Sequence, residues 1–128
     1  ATIQRIDKYA AITQHIVQAV KQRQHVCVVF YGHPTVFAKS ALDAVHELKQ
    51  EGYPTLILPG ISADACLFAD LNIDPGSHGV IAYETTDMLL RKKHIAPESH
   101  VILWQAGLIG TFGAIDHHDN QQGITVLK

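Results

Sequence analysis

The length, composition and charge of this chain are those of one folded domain and exclude several classes of protein. Its 128 residues are 47% hydrophobic and 17% charged, which is enough apolar content for a core and too much for a disordered chain. The net charge of −2 gives no basic footprint for nucleic acid, and no apolar run is long enough to span a membrane. No signal peptide is visible, so we expect a cytoplasmic protein that binds neither nucleic acid nor membrane.

The helices of the first 71 residues are indicated by apolar residues at three- and four-residue spacing. Residues 3–22 form the first predicted helix, and residues 38–51 form the second, with Gly52 as its stop signal. Ser62 is expected to cap a third, shorter helix that continues to about Leu71.

Two apolar runs between these helices predict buried β-strands. Residues 25–31 read HVCVVFY and end at Gly32, while residues 54–58 read PTLIL and end at Pro59. Continuous β-branched and aromatic runs are typical of strands buried on both faces of a sheet. A helix joins the two runs, so we expect a parallel pair with a right-handed crossover and therefore an α/β fold, a parallel sheet flanked by helices.

The pattern restarts near residues 74–76, Asp-Pro-Gly. A short strand at residues 81–83, a helix at 86–93, a strong strand at 101–105 and a final strand-like run at 124–127 are predicted after it. The cysteines, Cys27 and Cys66, lie inside apolar runs. We therefore expect buried free thiols in a reducing compartment.

Two loops follow the predicted strands of the first half and are the first candidates for a site. We call residues 32–37 the GHPTVF loop and residues 59–62 the PGIS loop. Ligands of open α/β sheets collect beyond the carboxyl ends of the strands. Each loop alone is better interpreted as an ordinary turn, whereas the pair fits a binding site and two ordinary turns equally well. Neither carries a phosphate-binding fingerprint, which favours a ligand without phosphates.

Three further residues are candidates for acid–base chemistry. Arg5 and Tyr9 are four residues apart and share a helix face. They can be a solvated Arg against a half-buried Tyr, or the guanidinium can stabilise a phenolate, which would make Tyr9 a general base. Tyr31 precedes the GHPTVF loop and is expected at the same edge.

Other kinds of chemistry find little support in the sequence. His117 and His118, with flanking Asp residues, are metal-ligand types, but adjacent residues rarely chelate one ion and no spaced pair completes a set. A solvated loop is the better interpretation there. No Ser nucleophile motif is present, and Cys27 lies in the middle of a predicted strand.

Four segments in order resemble one enzyme family across nearly the whole chain. They are YGHPTVF, LPGISADACLFADLNIDPG, YETTD and LWQAGLIG. Together they are similar to the tetrapyrrole (corrin/porphyrin) methylase superfamily, and most closely to the borosin-type peptide backbone α-N-methyltransferases, whose usual patterns are YGHPGVF, PG(I/V)SAE-x-x-FADL, YEA(S/T)D and WQ-x-G.

The resemblance implies a two-domain α/β enzyme with S-adenosylmethionine in the cleft between its domains. Residues 1–76 would be most of the N-terminal methylase domain, and residues 77–128 the linker and the start of the second. The chain would then be a fragment, inactive alone, of a homodimeric enzyme. Its substrate would be a precursor peptide, fused to the enzyme or supplied in trans.

The resemblance also assigns roles to particular residues. It implies a catalytic set of Arg5, Tyr9 and Tyr31. It implies cofactor contacts from the two loops and from the segment LWQAGLIG: His33, Val36, Phe37, Ser62, Ala63 and Gln105.

Two departures from the family pattern stand in the candidate loops or beside them. Thr35 replaces the usual Gly, and a β-branched residue would be strained there if that position has a positive φ. Asp64 replaces the common Glu. The functional alternatives are a methyltransferase acting on a tetrapyrrole or another small molecule, and a non-catalytic methylase-like module that only binds or dimerises.

Overall fold

The computed structural model of this protein describes residues 2–22, 25–109 and 121–127, with side chains except those of residues 2–7, 122 and 124. The described residues fall into two compact units, with the boundary between Cys66 and Leu67. The predicted α/β class is confirmed, since helices flank a parallel two-stranded sheet.

The first unit is built on two helices packed against each other. Helix α1 is Thr2–Lys21 and helix α2 is Lys39–Gln50, so both predicted helices are confirmed. Val17, Ala44 and Leu48 form the buried core between them. The Thr13 hydroxyl, also buried, donates to the carbonyl of Ser40 at 3.2 Å and ties the helices together.

Gly52 ends α2 as the sequence predicts. Its φ is +83°, its N–H donates to the carbonyl of Lys49 at 3.1 Å, and the N–H of Tyr53 donates to the carbonyl of Leu48 at 2.9 Å. These two bonds satisfy carbonyls that the helix end would otherwise leave free. Glycine suits this left-handed position because it has no Cβ.

The two strands predicted for the first unit are wrong as regular secondary structure. Residues 25–31 and 54–58 are assigned to no strand, although both segments line a cavity of about 440 Å³ together with α1 and α2. Burial alternates along residues 54–58, with Thr55 and Ile57 partly buried and Leu56 and Leu58 exposed. That period of two is the period of an extended chain, but one face is open to solvent rather than buried.

The cysteines correct a second expectation. Cys27 and Cys66 are free, as predicted, but both are exposed rather than buried. Cys27 is exposed because residues 25–29 have no second layer over them among the described residues. Cys66 lies in the short helix α3, Ala63–Leu71, none of whose residues is buried.

The second unit contains the sheet. Helix α4, Pro75–His78, precedes strand β1, Val80–Glu84, and helix α5, Thr85–Arg91, leads towards strand β2, His100–Trp104. The strands are parallel, with Val80 opposite His100 and Glu84 opposite Trp104. The strands and the helix predicted for this stretch are confirmed to within a few residues.

The C-terminal prediction is wrong in type. A 3₁₀ turn, Ala106–Leu108, follows β2, and residues 121–127 form helix α6, Gln121–Leu127, where the sequence favours a strand. A run of four apolar residues fits either element, because periodicity cannot distinguish them over so short a length. None of the described helices is both long and apolar enough to cross a membrane.

Candidate functional site

The GHPTVF and PGIS loops lie against each other, as the sequence predicts. A Cβ placed on Gly60 would be 2.3 Å from the carbonyl oxygen of Gly32 and 3.4 Å from the Cα of His33. A Cβ on Gly32 would be 3.7 Å from the carbonyl oxygen of Ile61. Since only glycine permits so close an approach at residue 60, the two glycines fix the loops as one surface.

The GHPTVF loop is a tight turn between residues of unusual backbone conformation. Gly32 has φ +76° and Phe37 has φ +53°, while Val36 N–H donates to the His33 carbonyl at 3.1 Å. A positive φ is costly for Phe and persists only where the surroundings impose it, a feature common at ligand sites. The side chain of Phe37 is about half exposed, so it offers an apolar ring at the loop surface.

Thr35 does not carry the strain that its replacement of glycine suggests. It is absent from the described residues with positive φ, so a β-branched side chain is accommodated. Its hydroxyl lies 3.0 Å from Nδ1 of His33, and its backbone N–H donates to the same nitrogen at 3.3 Å.

The PGIS loop runs directly into α3. Ser62 donates its hydroxyl to the carboxylate of Asp64, which also accepts from the N–H of Ala65 at 2.9 Å. The carbonyl of Ser62 accepts from the N–H of Cys66 at 3.4 Å. Ser62 therefore stands at the start of the helix as predicted, but its hydroxyl is held by Asp64 and caps no amide in the described structure. Ala63 is exposed.

The three acid–base candidates are placed unequally. Tyr31 is fully exposed beside the GHPTVF loop. Tyr9 is partly buried on α1 and has a partner of its own. The backbone of Arg5 belongs to α1, but its side chain lies outside the described residues, so the expected pair of Arg5 with Tyr9 stays a prediction.

Gln105, the predicted contact in the second unit, directly follows β2 in a left-handed conformation with φ +57°. Its carbonyl accepts from the N–H of Leu108 at 2.8 Å and so begins the 3₁₀ turn. A left-handed glutamine at the carboxyl end of a parallel strand is a strained residue where α/β proteins place their ligands.

Thr85 is a residue of this region that sequence reasoning missed. It is fully buried, and its hydroxyl donates to the carbonyl of Trp104 at 2.6 Å. The bond joins the start of α5 to the last residue of β2 and so fixes the peptide that leads into Gln105. The available signal was a threonine directly after one strand, where a hydroxyl can reach the end of its neighbour.

Among the described residues, no group of three His, Cys, Asp or Glu side chains is placed to hold a metal ion. His117 and His118 lie outside them.

The sequence profile of the tetrapyrrole (corrin/porphyrin) methylases matches residues 2–108. The chain belongs to this family. It is 44% identical over 106 residues to a methyltransferase and cyclic peptide gymnopeptides precursor from Gymnopus fusipes, which covers 83% of this chain and 25% of that protein. It is 39% identical over 124 residues to the methyltransferase and omphalotin A precursor of Omphalotus olearius, covering 95% of this chain and 30% of that protein.

A third relative, a methyltransferase and type III borosin cyclic peptide precursor from Anomoporia bombycina, is 41% identical over 106 residues. The match covers 83% of this chain and 12% of that relative. The chain thus spans between about an eighth and a third of the length of these curated relatives. The resemblance to borosin methyltransferases that the four motifs indicate is confirmed.

Proposed function

We propose that the protein containing this chain transfers methyl groups from S-adenosylmethionine to backbone amide nitrogens of a peptide. The observation that carries the proposal is the contact of the GHPTVF and PGIS loops at Gly32 and Gly60, with Tyr31 exposed beside them. This surface combines closely packed backbone, an apolar ring and a phenol. The chain belongs to a methylase family, and its relatives are named as both methyltransferase and cyclic peptide precursor.

The loop residues fit S-adenosylmethionine by their chemistry. Residues 32–37 and 59–62 contain no Lys or Arg, so nothing there would neutralise a phosphate or repel a sulfonium cation. The nearest cation along the chain, Lys39, is paired with Asp43 at 2.6 Å. The Phe37 ring and the loop backbone suit an uncharged nucleoside, so we assign the cofactor contacts to His33, Val36, Phe37, Ser62 and Ala63.

From the second unit we retain Gln105 as a proposed cofactor contact. Its left-handed backbone at the end of β2 supports this role. We also retain residues 1–76 as most of one methylase domain and residues 77–128 as the linker and the start of the next.

The chemical difficulty lies in the amide nitrogen, whose lone pair is delocalised into the carbonyl. When bound, S-adenosylmethionine would supply an electrophilic methyl group on a sulfonium sulfur, with a neutral thioether as the leaving group. The protein must therefore remove the N–H proton or polarise the amide. It must also hold the nitrogen in line with the methyl group, because proximity and orientation provide much of the rate in such transfers.

Tyrosine side chains of the first unit perform the proton chemistry in this proposal. Tyr9 accepts the amide proton, and Arg5, four residues earlier on α1, stabilises the phenolate. Tyr31 donates a hydrogen bond to the amide oxygen, which stabilises the negative charge that develops there. The exposure of Tyr31 leaves its hydroxyl accessible to a substrate.

The substrate in this proposal is a precursor peptide, in cis or in trans, and the working form is a homodimer. The names of the relatives, which combine a methyltransferase with a cyclic peptide precursor, support a peptide substrate. Size-exclusion chromatography with light scattering checks the dimer.

The deciding experiment is Tyr9→Phe in the intact protein, with mass gains of whole methyl groups on candidate peptides as the measurement. We expect at least a 100-fold loss of methyl transfer, the scale of lost general-base catalysis, with S-adenosylmethionine binding by calorimetry nearly unchanged. Tyr53→Phe is the matched control, because Tyr53 packs against the core of the first unit. Undiminished turnover in Tyr9→Phe would exclude this base, and methylation of a small ring but of no peptide would exclude the substrate class.

A further inference from the structure

Thr35 and His33 form a local contact that the family pattern, with glycine at residue 35, cannot make through a side chain. The hydroxyl of Thr35 lies 3.0 Å from Nδ1 of His33, and the N–H of Thr35 lies 3.3 Å from the same atom. Two groups of one residue thus converge on one nitrogen of the ring.

The direction of these bonds follows from the backbone amide, which can only donate. Nδ1 must therefore accept, so in the neutral ring the proton resides on Nε2. The hydroxyl donates to Nδ1 as well, because that nitrogen then has no proton to give. The contact favours one tautomer of His33, in which Nε2–H is a hydrogen-bond donor.

The backbone around His33 is fixed independently of Thr35. The carbonyl of His33 accepts from the N–H of Val36 at 3.1 Å, and the PGIS loop packs against the Cα of His33 at Gly60. The Thr35 hydroxyl therefore acts on the ring, where it strengthens the tautomer preference that the Thr35 N–H already sets.

We propose that Thr35 is a positioning residue that holds His33 as the Nε2–H tautomer and thereby supplies a hydrogen-bond donor to an acceptor atom of the methyl-donor nucleoside. The inference rests on the proposed function, because it takes that ligand as the acceptor. The Thr35 hydroxyl adds a second donor to the turn that is otherwise made by backbone alone, and it does so without backbone strain.

The tautomer is measured by ¹⁵N NMR of the imidazole nitrogens in the intact protein, at a pH where the ring is neutral. The His33 signals are assigned by their loss in His33→Gln. We expect Nε2–H to dominate in the native sequence and in Thr35→Ser, which keeps the hydroxyl. Thr35→Val keeps shape and backbone but loses the hydroxyl, and a larger share of Nδ1–H is expected there.

Binding and kinetics test the consequence for the ligand. Loss of one neutral hydrogen bond is typically worth a few-fold to ten-fold in an equilibrium, so Thr35→Val should raise the dissociation constant and KM for S-adenosylmethionine about 2- to 10-fold and leave kcat nearly unchanged. Thr35→Ser should restore native values. A merely structural role would instead lower the melting temperature and leave the tautomer unmoved.

Three results would overturn the inference, and each is distinct. A dominant Nδ1–H tautomer in the native protein contradicts the hydrogen-bond directions. A shifted tautomer with unchanged cofactor affinity in Thr35→Val shows that His33 does not contact the ligand. Absence of any S-adenosylmethionine binding by the native protein overturns the ligand part together with the proposed function, whereas the tautomer result tests the Thr35 contact alone.

Discussion

The two units of the chain differ in whether their β-type segments form a hydrogen-bonded sheet. In the second unit, β1 and β2 pair in parallel along five residues each, and the buried Thr85 hydroxyl satisfies the carbonyl at the end of β2. In the first unit, residues 25–31 and 54–58 carry the stronger β pattern but lie in no described strand. Thr55 there has a buried hydroxyl oxygen without a partner in the described structure.

The difference teaches that a sequence pattern specifies the tendency to extend, whereas a ladder needs a partner. β-branched residues favour an extended backbone on any pleated surface. The hydrogen bonds that define a strand come from a neighbour in register. The first unit keeps its organisation through helix packing and the glycine contact of its loops, and the second through its strand ladder.

The largest loss of unfolding free energy is expected for a substitution in the helix core of the first unit. Leu48 is 3% exposed between α1 and α2, whereas Leu56 is 80% exposed on residues 54–58. Leu48→Ala should lower the free energy of unfolding by about 2–5 kcal/mol, and Leu56→Ala by less than about 0.5 kcal/mol. Denaturant unfolding of both variants in the intact protein measures this. A cost above about 1 kcal/mol for Leu56→Ala would mean that the outer face of residues 54–58 is covered there.

The contact of the two loops is tested by Gly60→Ala. The added Cβ would lie 2.3 Å from the carbonyl oxygen of Gly32, so backbone must move. We expect a loss of about 1–3 kcal/mol in unfolding free energy and weaker binding of S-adenosylmethionine by calorimetry. Gly76→Ala is the control in the second unit, because its Cβ would first meet the side-chain oxygen of Asp74 at 3.2 Å. Equal effects of the two substitutions would contradict the special role of Gly60.

Each unit contains a buried threonine hydroxyl, and removing each one compares the hydrogen bond's contribution to stability in the two units. Thr85→Val leaves the carbonyl of Trp104 without its 2.6 Å bond, and Thr13→Val leaves that of Ser40 without its 3.2 Å bond. Loss of one buried hydrogen bond typically costs about 0.5–1.5 kcal/mol of unfolding free energy, and we expect Thr85→Val to be the more destabilising because Thr85 is fully buried. Thermal and denaturant unfolding check the order, and Thr85→Ser should recover most of the loss. The reverse order would show that helix packing depends more on its hydrogen bond than the strand end does.

The smallest effect concerns an ion cluster on the second unit. A hydrogen bond from Lys93 at 2.5 Å lowers the pKa of Asp87 below its ordinary value of 3.8, and the charge of Arg91 adds to this. A lowered carboxyl pKa stabilises the fold above pH 3.8, and that stability is lost as the pH falls through the lower pKa of the folded state. Asp87→Asn should make the free energy of unfolding depend less on pH in this acid range.

The control for this pH dependence is Asp70→Asn, because the carboxylate of Asp70 has no ion pair among the described residues. Unfolding is followed from pH 5 to pH 2, at low salt, where exposed pairs are least screened. If the unfolding free energy of Asp87→Asn falls as steeply with acid as that of the native protein, the ion cluster is excluded as the cause.

Much of this protein follows from local sequence. The spacing of apolar residues located α1 and α2, and Gly52 marked the end of α2, because helix periodicity and glycine's freedom at positive φ are local properties. The four motifs identified the family, and apolar runs located both strands and α5 of the second unit, although the parallel pair was expected in the first unit. The proximity of the two loops was also predicted, because both follow apolar runs that were expected to end at the same sheet edge.

Tertiary structure alone decided the rest, because it depends on which groups meet. Some features depend on neighbours that a local pattern does not contain. They are the lack of strand pairing in residues 25–31 and 54–58, the exposure of Cys27 and Cys66, and the helical form of Gln121–Leu127. The same holds for Thr85, an ordinary threonine in the sequence, whose hydroxyl reaches the carbonyl of Trp104 only because the fold brings the start of α5 to the end of β2.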